Sequence, residues 1–100
     1  MTQPTRDLKF VTAGGKLLSF TDSEGTETAL IIGRLYKITA TAICAVRFGA
    51  SAVTAADGGF DFALDAGESV YLRAPHATIR AIRATATDGS LLIGLVDEGV

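Results

Sequence analysis

From Tyr36 to Phe48 the chain alternates with period two. Tyr36, Ile38, Ala40, Ala42, Cys44, Val46 and Phe48 are all apolar, while Lys37, Thr39, Thr41, Ile43, Ala45 and Arg47 are mixed. A run of this kind is β-structure with one face buried and the other mostly solvated. It is longer than the three to ten residues of most strands, so a bend or bulge is expected near Ala42.

The rest of the chain follows the same plan. Glycine-centred turn signals recur at Gly14-Gly15, Glu24-Gly25, Gly33, Gly49, Asp57-Gly58-Gly59, Ala66-Gly67 and Asp88-Gly89. Most lie about 8–12 residues apart, the rhythm of short strands in a sandwich or barrel. Phe60, Phe62 and Leu64 alternate with Asp61 and Ala63, and Val70 and Leu72 with Tyr71 and Arg73, before Pro75 ends that run. The pattern predicts one core holding Tyr36, Ile38, Val46, Phe48, Phe60, Phe62, Val70 and Leu72. Leu8–Thr12, Lys16–Phe20 and Thr28–Ile32 read as weaker strands.

Thr78–Thr87 fits helical spacing as well as a strand with a bulge near Ala81. The strand is preferred, because Asp88-Gly89 would then form a two-residue hairpin into Leu91–Val96. The expectation is a single all-β domain over residues 1–100, a small β-sandwich or jelly-roll-like fold of seven to nine strands. Residues 1–7 would form an extended N-terminal arm.

Composition bounds the function. An apolar fraction of 48% and a mean hydropathy of +0.35 are incompatible with a disordered chain. A net charge of −2 and a pI near 5.2 argue against nucleic acid as a partner. Ile38–Val46 is the longest uncharged run at the chain centre, far short of the ~20 residues a membrane helix needs, so no membrane partner is expected. Met1–Phe10 has no apolar signal-peptide core, and the lone Cys44 can form no internal disulfide, which fits synthesis in a reducing cytosol. Sixteen alanines and twelve threonines outnumber ten leucines. So lean a core predicts help from a partner or a symmetric neighbour, and hence a homo-oligomer.

The candidates for chemistry are few. Gly14-Gly15-Lys16 lacks the first glycine and the hydroxyl of a phosphate-binding loop, and reads better as a hairpin turn. Cys44 lies on the all-apolar face and His76 follows Pro75 in a turn, which suits neither a thiolate nucleophile nor its base. Asp57, Asp61, Asp65 and Glu68 lack EF-hand spacing and read as solvated residues. Asp65-Ala-Gly-Glu-Ser-Val-Tyr-Leu-Arg looks like the turn-then-strand of jelly rolls, cupins among them. A metal-binding cupin needs two histidines and this chain has one. No catalytic residue, cofactor or metal is expected. Arg47, Arg73, Arg80 and Arg83 are candidate partner contacts if they share a face, where they could meet an acidic surface through bidentate pairs. Thr2, Gln3, Pro4, Thr5 and Arg6 are candidates as parts of the arm.

Five pieces recur in a familiar order: Tyr36-Lys-Ile-Thr-Ala, Ala45-Val-Arg-Phe-Gly-Ala, Leu64-Asp-Ala-Gly-Glu-Ser-Val-Tyr-Leu-Arg-Ala-Pro, Ile79-Arg-Ala-Ile-Arg-Ala and Asp88-Gly-Ser-Leu-Leu-Ile. This order resembles small β-sandwich virion structural proteins of tailed bacteriophages, several of which decorate the capsid exterior. The resemblance covers about two thirds of the chain. It implies a non-enzymatic capsid decoration (cement) protein, made in the bacterial host cytoplasm and carried on the virion. Its partners would be the major capsid protein or neighbouring virion proteins. The alternatives are a tail or fibre-tip module that contacts host glycans, and a small cupin-like domain.

Overall fold

The computed structural model describes residues 9–98. Among them nine strands form: β1 (Lys9–Phe10), β2 (Lys16–Phe20), β3 (Gly25–Glu27), β4 (Leu35–Ala40), β5 (Cys44–Phe48), β6 (Phe62–Leu64), β7 (Ser69–Arg73), β8 (Ile79–Arg83) and β9 (Gly89–Asp97). The first sheet runs β1-β9-β4-β7, with β2 also on β9, and the second runs β3-β8-β5-β6. All pairings are antiparallel.

β1 and β2 are one edge strand, interrupted. Six steps from Phe10 to Lys16 oppose three from Val96 to Ile93 on β9, so three residues are looped out between them. With β1/β2 taken together, the pairs β1/β2–β9, β3–β8, β4–β7 and β5–β6 nest inside one another. That is a long hairpin rolled into two sheets, the jelly-roll arrangement.

The period-two run crosses between the sheets instead of bending within one strand. β4 ends at Ala40 and β5 begins at Cys44. At the corner the Thr41 N–H still donates to Ser90 O in the first sheet, while Ile43 O already accepts from Ala84 N beside the second. Ala42 is buried in the corner, where its small side chain fits. Because both sheets face one core, the inward parity passes through the corner unbroken. Leu18 and Phe20, Tyr36 and Ile38, and Leu91 and Ile93 face Cys44, Val46 and Phe48, with Ile79 and Ala81. The buried Tyr36 hydroxyl accepts from the Ile31 N–H at 2.8 Å, so its polar end is satisfied.

Several expectations are corrected. Phe60 is 36% exposed in the β5–β6 connection, and only Phe62 and Leu64 of that run face inward. β8 is a regular strand with neither helix nor bulge: Ile79 and Ala81 are buried, and Ile82 faces outward opposite Ala45. Asp88-Gly89 makes no hairpin, because β8 and β9 belong to different sheets. Gly14-Gly15 lies in the excursion of the edge strand, not in a β1–β2 hairpin. Residues 28–32 form no strand, because their N–H groups go to separate acceptors. Ala29 donates to the Glu27 carboxylate, Leu30 to Ala77 O and Ile31 to Tyr36.

Candidate functional site

Part of the outward face of the second sheet is covered by the chain itself, although Ala63 and Ile43 there stay exposed. Residues 49–61 connect β5 to β6, and three side chains tether this loop. Arg47 donates to Ala52 O at 3.2 Å, Arg80 Nε to Gly49 O at 3.0 Å, and the Val53 N–H to Glu24 Oε1 at 3.0 Å. The other Glu24 oxygen accepts from Arg80 Nη1. Burial pushes the Glu24 carboxyl up, but the Val53 N–H and Arg80 outweigh it and hold it below its ordinary value. Val53 is 2% exposed although it lies outside the central core cluster. Ala45 is also 2% exposed although it points outward, whereas its outward neighbour Ala63 on β6 is exposed, so the face is shielded in part, at Ala45 on β5.

The outward face of the first sheet is open around Leu17 and Leu92, although Val96 near its end is 1% exposed. Leu17 pairs with Leu92, and Leu92 with Thr39. Leu17 is 62% exposed, Leu92 49%, Phe10 43% and Tyr71 45%. Together with Lys16, Lys37 and Gly94 they surround or flank a shallow open groove of about 490 Å³, which Tyr71 borders through its cross-strand neighbour Lys37. Gly94 shapes its floor: a Cβ there would stand 3.3 Å from the Phe10 ring and displace it. Lys37 Nζ lies over the Tyr71 ring, 5.9 Å from its centre. Exposed apolar side chains that are contiguous on a sheet mark an interaction surface more often than scattered ones do.

The four arginines do not share a face. Arg47 and Arg80 are direct cross-strand neighbours on the second sheet and tether its loop. Arg73 lies on the outer face of the first sheet, where it pairs bidentately with Glu98 and also donates to Gly33 O at 2.9 Å. Hydrogen bonding to Arg73 lowers the Glu98 pKa, and the same bond raises that of Arg73. Arg83 ends β8 and pairs with Asp88 at 2.7 Å. Thr2, Gln3, Pro4, Thr5 and Arg6 lie outside the described residues.

Cys44 is fully buried, and burial pushes its thiol up to about 11. It opens β5, whereas His76 lies beyond Ile79, which pairs with Phe48 at the far end of that strand. Four residues of strand, about 13 Å, separate those ends, so the two form no dyad. Asp61 accepts from the Phe48 N–H and Glu68 from the Asp65 N–H, which assigns both to turn and strand-end bonding. Among the described residues no three His, Cys, Asp or Glu side chains converge as a metal site would require. The chain matches no protein-family model, no curated protein and no solved structure.

The open groove was not singled out in the sequence. Its one signal was Leu17 and Leu92, apolar residues at positions where alternation would place polar ones.

Proposed function

We propose that the protein is a non-enzymatic virion component that decorates a bacteriophage capsid, adhering to the coat through the outer face of its first sheet. The observation that carries this reading is the unequal treatment of the two outer faces. One carries a tethered loop with the buried Val53 and Ala45, and the other leaves Phe10, Leu17 and Leu92 in water. Burial of apolar area there would contribute about 25 cal/mol per Å² before the costs of association are met. The resemblance to tailed-phage virion proteins supplies the coat as partner. A rigid sandwich seated across coat subunits would reinforce them by added interface area, without chemistry.

The exposed Tyr71 favours the glycan-binding alternative, since sugars stack on aromatic rings, but Lys37 already lies over that ring. The decisive experiment is co-sedimentation of the full chain with undecorated capsids. Wild type should pellet with them, and a Leu17→Ser/Leu92→Ser variant should remain in the supernatant. Equal pelleting of both would remove the open face from the mechanism. Failure of wild type to pellet, combined with glycan-array binding, would replace the coat by a sugar.

A further inference from the structure

The sandwich has four sheet edges, and three of them are blunted. β3 and β6 offer three residues each. The β1/β2 edge is interrupted, and β2 is shut off by the neighbouring β3. Gly25 lies so close to Ser19 O that a Cβ would stand 1.9 Å from it, and Lys16 reaches Glu27 at 3.9 Å. β7 differs, with five uninterrupted residues, Ser69 to Arg73, and β4 as its only partner strand among the described residues.

Its hydrogen-bond phase is set at both ends. Ala40 N donates to Glu68 O and Ala74 N to Arg34 O, each at 3.0 Å. Residues 68, 70, 72 and 74 therefore bond to β4, and the backbone groups of Ser69, Tyr71 and Arg73 point away from the sheet. The core also reaches the surface on this side. Val70 and Leu72 face inward yet are only half-buried, as is Phe62 on the adjacent edge β6. An edge with free donors and acceptors above a half-covered core is a template for another strand.

We infer that β7 pairs antiparallel with β7 of a second copy of this chain, about a two-fold axis through Tyr71. In that register Tyr71 opposes Tyr71 of the second copy, and Ser69 opposes Arg73. These are the residues whose backbone groups point outward, so three N–H donors on each copy meet three carbonyls on the other. Val70 lies opposite Leu72 of the second copy and covers it. The charges agree with this arrangement: each Arg73 faces a serine, whereas an in-register parallel pairing would set Arg73 beside Arg73. The Arg73 side chain is held by Glu98 and Gly33 O, contacts that lie toward β4 and β9 and leave the edge open. The contact is isologous and closes as a dimer. A five-residue edge falls well below the roughly 1,200–2,000 Å² of a standard interface, so the dimer forms at high concentration or on a repeating surface. The inference stands apart from what the open face binds.

The test is sedimentation velocity of the full chain up to millimolar concentration. Wild type should shift reversibly from monomer to dimer. Tyr71→Pro removes an N–H that points away from β4, which an edge strand tolerates, and should weaken dimerisation at least tenfold. Its melting midpoint at dilution should stay near wild type. A second variant, Tyr71→Cys in a Cys44→Ala background, should oxidise to a covalent dimer faster than Leu17→Cys in the same background. The Leu17→Ser/Leu92→Ser variant should dimerise like wild type even where it fails to bind capsids. A wild type that stays monomeric at millimolar concentration would overturn the inference. So would equal cross-linking of the two cysteine variants, or dimerisation lost with Leu17 and Leu92 instead of Tyr71.

Discussion

The outer faces of the two sheets begin from the same alternation and end in opposite states. On the second sheet Ala45 and Ile82 point outward, Ala45 buried and Ile82 partly so, and a loop carrying the buried Val53 is tethered to that sheet by Arg47, Arg80 and Glu24. On the first sheet Leu17 and Leu92 point outward, and Phe10 packs beside them without closing the groove. The difference lies in chain length. Residues 49–61 provide enough backbone to fold back over a sheet, whereas the turns flanking the first sheet are short. An apolar outward residue is thus a packing position where a long loop can reach it, and stays in water where none can.

The largest expected effect lies on the covered side. Val53→Ala should cost about 2 kcal/mol, from two lost methyl groups and the space they leave. Thermal melts would measure it, and a loss near zero would mean that the loop is decoration instead of cover.

A smaller effect belongs to the tether. Glu24→Gln removes the charge that Arg80 and the Val53 N–H hold, and should cost about 1 kcal/mol at neutral pH, the pair being partly solvated. The sign of the pH dependence follows from the lowered carboxyl. The stabilisation is complete above the ordinary value of 4.5 and is lost as the pH falls through the lower folded value. Wild type and variant should therefore converge in acid. Denaturation curves in which the gap persists would assign the effect to packing.

The smallest stability effect is expected on the open face. Leu17→Ser/Leu92→Ser should stay within about 0.5 kcal/mol of wild type, as exposed substitutions do. A large loss would show that these leucines serve the fold and would erase the contrast between the faces.

Much of the fold was legible residue by residue. Tyr36, Ile38, Val46 and Phe48 are buried where alternation places them, because a strand's side chains must alternate whichever sheet it joins. Phe60 was misread because a strand pattern continues on paper past the point where the chain leaves the ladder. Arg47 and Arg80 read equally well as partner contacts, since nothing local tells an arginine that tethers its own loop from one that meets another molecule.

The sequence alone determined that this chain is all-β and that Tyr36, Ile38, Val46 and Phe48 face inward. These follow from side-chain periodicity and turn chemistry, which act over a few residues. The assembled fold decided that the run from Tyr36 to Phe48 serves two sheets. It also decided that residues 49–61 are tethered to one outer face, that Leu17 meets Leu92 on the other, and that β7 is the long uninterrupted edge. Each of these depends on contacts between residues far apart in the chain. Period-two alternation carries no information about which sheet a strand joins or what lies above its outward side.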